Sequence, residues 1–481
     1  MDQQTAPNER QQYGEKFRSH TAVEKKRWRH LLEQRLPAAV TGVLSCYDRL
    51  MLQGTLPNIC FAGGMEQYLR AQGIAYKDYT QWALPLADEI KRRAEALAAA
   101  EGIQIEFLRK KIRKEDHVQQ FLAQRGDRPG LICILSAMER CDTYRFCRKK
   151  DGWGLRPDSG KCLHYYFYFL DPEWGLGFLR LPTWAPFRVQ FYVNGHSWLA
   201  LQLKRENIAY RLLDNALLEC ADWPRAQQLS DKLRGDQLHR QLDAWAQRYC
   251  PFLARLHWSY HWSVDQAEYA TDVVFRVRQQ LAQIYEPLTR LMVHTVQAQH
   301  IATFLGKKLN TNFQGEAGNR YDVRIQGTRI KHTMGPVSIK MYDKFGLLLR
   351  VETTVNDLTF FQHYRQVEQR DGQRVFKWAE MKRNIYSLPI LRERCLAANW
   401  RYVESLCALA DPTAGMPQLQ RISQPVQQNH RNYRGFDFFS AQDQPMLLTL
   451  LRGEFTIRGF ANKRSSPPVA RQNQRSALAL P

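Results

Sequence analysis

Residues 337–356 read VSIKMYDKFGLLLRVETTVN, and this short stretch holds the side chains that phosphodiester chemistry asks for. Tyr342 is a candidate nucleophile, Glu352 or Asp343 a candidate metal ligand, and Lys340, Lys344 and Arg350 are cations for a phosphate. A tyrosine attacks phosphorus only when a base or metal activates it and cations hold the anion beside it. With Asp343-Lys344-Phe345-Gly346 as the turn and Gly346 left-handed, the spacing predicts a hairpin that sets Lys340 opposite Arg350, Tyr342 opposite Leu348 and Ser338 opposite Glu352. Like charges across a ladder repel unless an anion lies between them. Glu352, diagonal to Lys340, or a bound phosphate would serve. Tyrosine is also an ordinary strand residue, so simple packing competes with catalysis at Tyr342.

Asp48, in CYDRLMLQGTL, joins Glu352 as a second metal ligand if their strands lie in one sheet, and the pair would suit Mg2+ or Mn2+. Asp265, Glu268 and Asp272 share one face of a helix predicted from the capping box at Ser263–Gln266, although acids in a first turn also answer the helix dipole. Cys141, Cys147, Cys162 and His164 lack the tight C-x2-C knuckle of structural zinc and read as small apolar thiols. Arg329, Lys331, Lys110, Lys111 and Arg113 extend the cations into a nucleic-acid-binding set. In LHYYFYFLDPEWG, alternation places Tyr166 and Tyr168 on one face, a platform for stacking unpaired bases, unless the sheet is buried on both sides.

These residues sit in a chain of 481 residues with 69 Lys and Arg against 47 Asp and Glu, a formal charge of +22. A surplus of that size points to a polyanion, and 44% hydrophobic residues with 12% aromatics point to folded domains. No apolar run is long enough to span a membrane, and the polar start MDQQTAPNERQQYGEKFRSH is unlike a signal peptide. The ten cysteines then read as reduced thiols in a cytoplasm. Motifs for phosphate loops, dinucleotide folds and zinc proteases are absent from the sequence.

The fold expected is α+β or mixed α/β and multidomain. A basic arm (1–38) precedes an α/β unit (39–160), an aromatic-rich antiparallel sheet (161–223), a helical segment (224–310) and a basic hairpin region (311–365). A second helical segment (366–416), a linker (417–433), a partial helix-turn-helix (434–464) and a disordered tail (465–481) follow. Within these, VTGVLSCYDRLMLQGTL predicts a strand or hairpin, ADEIKRRAEALAAAEG a helix closed by Gly102, and Asp171-Pro-Glu-Trp-Gly175 a turn between strands.

CYDRLMLQGTL, LHYYFYFLDPEWG, NGHSW, DQAEYATD and IKMYDKFGLLLRVET together resemble a widespread bacterial family of uncharacterised proteins, some labelled as winged-helix or transcriptional regulators. The sequence departs from that pattern after GEFTIRGFANKR, short of a second helix and wing. The pattern I-K-M-Y-D-K with L-R-V-E is also similar to a hairpin of rolling-circle replication initiators, which implies a nicking tyrosine and a carboxylate-bound metal. The paired histidines common in nicking enzymes are missing.

The first expectation is a DNA- or RNA-binding protein of the kind mobile genetic elements encode, with no cofactor required for binding. The alternative is a metal-dependent tyrosine nickase or nuclease using Tyr342 and Glu352 with Mg2+ or Mn2+. A second alternative is an RNA-binding scaffold of a ribonucleoprotein.

Overall fold

The computed structural model describes residues 39–450 apart from 110–113, 127, 151, 310–315, 325–326, 410–420 and 438–439. The basic arm, Lys110, Lys111, Arg113, the later part of the helix-turn-helix and the tail fall outside the described residues. The chain divides into two compact units, Met1–Ser405 and Leu406–Pro481.

The first unit is built on strands β1 (Val40–Thr55), β2 (Ile105–Phe107), β3 (Gly130–Lys149), β4 (Gly152–Asp171), β5 (Gly175–Pro182), β6 (Val189–Val193), the small hairpin β7 (Tyr210–Leu213) and β8 (Ala216–Cys220), β9 (His261–Phe275), β10 (Ala317–Arg324), β11 (Gly327–Met334), β12 (Val337–Lys344), β13 (Leu348–Val355), and the ribbon β14 (Gln362–Glu368) and β15 (Arg374–Glu380). Eleven of them form one sheet in the order β10-β11-β12-β13-β9-β1-β6-β5-β4-β3-β2. Every pairing is antiparallel except β2 with β3. The mixed α/β class expected from sequence is what the structure shows, with strands from 39–160, 161–223, 224–310 and 311–365 all feeding one sheet.

One face of the sheet is apolar and covered by helices. Trp245 and Tyr249, from the helix Gly235–Tyr249, stack on Phe191 and Phe167 with ring centres 5.3 and 4.8 Å apart. The helix Leu388–Leu409 accepts a hydrogen bond from Tyr47 at Leu388 O and sends Asn399 to Tyr269 O. Large buried aromatics in such contacts anchor this face of the sheet.

Several local signals are realised. Gly102, with φ +64°, closes the helix Tyr79–Glu101, and β4 turns into β5 at residues 172–174. Asn194 caps the helix Gly195–Arg205, its Oδ1 accepting from the His196 and Ser197 amides. Gly195 is required there because a Cβ would stand 2.4 Å from Tyr47 O.

The segment expected to open a helix at Ser263 is instead the start of strand β9. Its aromatic and β-branched residues, Tyr269, Thr271, Val273 and Val274, are buried between β1 and β13, and burial in a central strand overrides the capping-box pattern. Likewise the segment 366–416, expected to be helical, carries the end of β14 and all of β15 before its α-helix begins at Leu388.

The hairpin that carries Tyr342 has a different register from the one expected. Lys340 pairs with Glu352, Tyr342 with Arg350 and Lys344 with Leu348. Phe345 and Gly346 both take positive φ (62° and 72°), and the three-residue turn is Phe345–Leu347, one residue further along than expected. The shift by two residues replaces a cation–cation pair with an opposite-charge pair and removes the predicted repulsion.

In the second unit, a hairpin β16 (Val426–Gln428) and β17 (Arg431–Tyr433) precedes a helix Gln444–Leu450, with Arg434 bonded to Asp443 at 2.7 Å.

Candidate functional site

Four carboxylates gather on the polar face of the sheet, where β12, β13, β9 and β1 lie side by side. Asp48 comes from β1, Glu268 and Asp272 from β9, and Glu352 from β13. A register shift between Tyr47 and Arg49 leaves Asp48 without a partner on β9, a bulge that turns its side chain into the cluster. Oxygen atoms of Asp48, Glu268 and Glu352 all lie within 4.8 Å of one another.

Two cations are bonded into the cluster. Lys340 Nζ bridges Glu268 (3.1 Å) and Glu352 (2.8 Å). Arg350, fully buried, donates two hydrogen bonds to Asp272 at 2.6 and 2.7 Å and one to Asn215 O, with its remaining nitrogen 3.2 Å from Asp48. Four carboxylates outnumber the two cations bonded to them, and His196 lies 3.2 Å from Asp48 and 3.8 Å from Asp272.

Burial and charge act differently on each member of the cluster. Burial works against the Asp48 carboxylate, but Arg350 and then His196 beside it hold its pKa well below the usual range. Glu268 moves the other way: burial and the neighbouring Glu352 raise its pKa. Burial opposes the charge of Lys340, and Glu352 and Glu268 outweigh it, so that ammonium titrates above its ordinary value.

Tyr342 stands at the edge of this cluster and donates a 2.7 Å hydrogen bond to Glu352 Oε2. Burial, and then Glu352, push its pKa well above that of a free phenol. At neutral pH it is therefore a neutral phenol whose proton already points at a base. Arg324 lies over its ring at 5.3 Å.

The neighbouring elements hold this arrangement. His196 Nδ1 at the helix start and Asn215 in the β7–β8 turn both approach Asp48 Oδ1, at 3.2 and 2.5 Å. Asn194 Nδ2 bonds Asp48 O at 2.6 Å.

Of the residues singled out in the sequence, Tyr342, Glu352, Asp48, Lys340 and Arg350 are brought together. Arg350, however, is sealed in the core by Asp272 and Asp48 and has no surface to offer a phosphate, a correction to its expected role. Lys344 is tied to Asp214 at 3.0 Å, and Arg329 to Asp322. Lys331 faces Lys340 on one side and Arg320 on the other. Burial and then Lys340 lower its pKa, as expected where cations line up along a row of the sheet.

Tyr166 and Tyr168 do not form a stacking platform. Both are buried under the helix Lys114–Arg125 with Val118 and Phe178, and the Tyr166 hydroxyl donates to Glu139 at 2.7 Å. So many aromatics in one sheet served the core. Exposed aromatics occur instead on the β14–β15 ribbon, where Tyr364, Phe376 and Trp378 share one face at about half exposure. Among the described residues, Cys141, Cys147, Cys162 and His164 form no metal-spaced group, and all ten cysteines are free thiols.

Sequence reasoning missed Glu268 and Asp272 as cluster members on a strand, and missed His196 and Asn215 altogether. Nothing in NGHSW or LLDNALL signals a partner some 150 residues away.

A cation bound by three carboxylates is expected to compete with the proton on Glu268. Mn2+ affinity should rise with pH as that carboxyl ionises, and calorimetry in buffers of different ionisation enthalpy should show proton release on binding. Binding without proton release would contradict the assignment of Glu268 as a ligand.

No family model matches the chain, and no curated protein matches it. Among solved structures, it shows similarity to a rolling circle replication initiator protein from Geobacillus stearothermophilus, over 66% of this chain and 75% of that one, at 9% identity and a TM-score of 0.19. A TM-score that low marks no shared fold, and no residue role is carried across from it. No helix among the described residues is long and apolar enough to cross a membrane.

Proposed function

We propose that the chain binds nucleic acid and cuts one strand of it by metal-assisted transfer of a phosphodiester to Tyr342. The observation that carries this reading is the convergence of Asp48, Glu268 and Glu352, with oxygens within 4.8 Å of each other, on a tyrosine hydroxyl 2.7 Å from one of them. These three carboxylates fit Mg2+ or Mn2+, hard cations bound through oxygen. Such a cation, when bound, supplies charge stabilisation at the phosphorus and its oxygens.

The protein groups do the rest. Glu352 accepts the phenol proton as Tyr342 Oη forms its bond to phosphorus. The P–O bond to the leaving strand end breaks, and that oxygen takes its proton from water. Lys340, bonded to Glu268 and Glu352, would offer its charge to a phosphate oxygen when those carboxylates hold a cation. Arg350 and Asp272 fix the strand positions and stay out of the chemistry. Lys331, in the row that leads to Lys340, would hold a flanking phosphate, with Arg320, bonded to Asp322 at 2.6 Å, beside it.

Single-stranded DNA, duplex DNA and RNA, each incubated with the protein in Mg2+, Mn2+ or EDTA, test this directly. Cleavage in either metal, lost in EDTA and in Glu352→Gln, is expected. Tight binding with no product under any of these conditions would leave a binding protein only.

Binding itself should weaken steeply with salt, the slope of log K against log salt falling by roughly 0.9 per duplex phosphate neutralised. Affinity independent of salt would contradict an electrostatic interface for this +22 chain.

A further inference from the structure

The polar face of the sheet continues beyond the carboxylate cluster. Glu268 pairs with Arg49 on β1, and Gln53, four residues further along β1 on the same face, pairs with Gln190 of β6, which pairs with Arg180 of β5. Gln53, Gln190 and Arg180 line a cavity of about 240 Å3, together with Arg140, Arg188 and Trp184. This is smaller than the roughly 300–1,000 Å3 clefts that take drug-sized ligands.

Three arginines and Asp142 line this cavity, and two carboxylates bond two of the arginines. Arg180 is bonded to Glu139 at 3.0 Å and Arg188 to Asp142 at 2.9 Å. Arg140 donates to Ser159 Oγ at 3.1 Å and has no carboxylate within ion-pair distance among the described residues. Arg188 Nε is buried with no hydrogen-bond partner. One uncompensated cation, a buried orphan donor and an indole in a small cavity define a site for a single phosphate beside a flat group.

We propose that this cavity is a subsite for one phosphate, with its base against Trp184, of a single strand whose scissile phosphate lies at the carboxylate cluster. The proposal rests on the chain acting on nucleic acid. Three strand spacings and four residues separate Glu268 from Arg180, about 20 Å, so a strand must run several nucleotides along the face to fill both places. Asp265, which accepts a 3.0 Å hydrogen bond from Gln190, and Arg49, stacked on Tyr192 at 5.6 Å, flank that path.

The test runs without metal, so that loss of nicking leaves it intact. Anisotropy of labelled single strands of roughly 4 and 16 nucleotides, the range of single-strand site sizes, is measured in EDTA at several salt concentrations for wild type and Arg140→Gln/Arg188→Gln. The double variant is expected to bind the longer strand at least tenfold more weakly, with a salt slope reduced by about 0.7 for the one phosphate whose neutralisation is lost. The short strand, unable to span both places, should lose much less. Arg140→Gln alone, at an exposed residue, should show half the slope change with unaltered melting temperature, which covers the case of a misfolded double variant. Equal affinity and slope for the single variant and wild type would overturn the proposal. So would inorganic phosphate binding the cavity without competing with the strand, which would assign it to a small phosphorylated ligand.

Discussion

Tyr342→Phe is expected to reduce strand cleavage by at least about 10³-fold and to remove any covalent protein–nucleic acid product, while affinity for the strand changes little. Removing a nucleophile that works as a unit with its base costs nearly the whole catalytic effect. The ring, its place beneath Arg324 and the strand pairing with Arg350 all survive in Phe. Only the hydroxyl bonded to Glu352 is lost. A residual rate close to wild type would show that water, and not Tyr342, attacks the phosphorus. Burial keeps the phenol protonated at neutral pH, so the rate of the native protein should follow ionisation of the carboxylates and not of the tyrosine.

Arg350→Met is expected to destabilise the protein by about 3–5 kcal/mol, the usual result of breaking a buried ion pair and stranding its partner. Arg350 is fully buried, and it satisfies Asp272 with two hydrogen bonds while neighbouring Asp48. The melting temperature should fall by several degrees with or without metal. Replacing Asp272 by Leu as well should recover part of the loss, because fewer charges are then stranded. A melting temperature unchanged in Arg350→Met would mean that water or a counterion reaches Asp272, and that the cluster is wetter than its geometry implies. This outcome is opposite in sign to the one the sequence register implied, in which removing a cation from a repelling pair would be neutral or helpful.

The contrast shows where sequence reasoning carried and where it stopped. The segment 337–356 was legible as a hairpin with Gly346 in the turn, because alternation and a glycine are local signals. Its register was not, since Phe345 also takes a positive φ, which a phenylalanine does not announce. Lys340 facing Glu352 then decides the pairing by charge, a term no turn rule contains. Strand β9 was misread because Ser263 and Gln266 mimic a capping box, and acids at 265, 268 and 272 fit one face of a helix. Glu268 and Asp272, four apart, share a strand face equally well. What separates the two is the pair of neighbours, β1 and β13, that bury both sides of the segment, and those neighbours are more than 70 residues away in the chain. The Asp48 bulge, and the arrival of His196 and Asn215 beside it, are tertiary in the same sense. The aromatic run around Tyr166 was legible as sheet, but its solvent exposure depended on the helix Lys114–Arg125 that covers it.

The most direct measurement is to incubate the wild-type protein with a single-stranded oligonucleotide and Mn2+, digest with trypsin and find the nucleotide-bearing peptide by mass spectrometry. Cleavage after Lys340 and Lys344 isolates Met341–Lys344, MYDK, with Tyr342 its only tyrosine. The account predicts nucleotide mass on that tetrapeptide, present with Mn2+, absent with EDTA and absent in Glu352→Gln. A strand cut in Mn2+ with no adduct on MYDK, or with the adduct on another peptide, would contradict it.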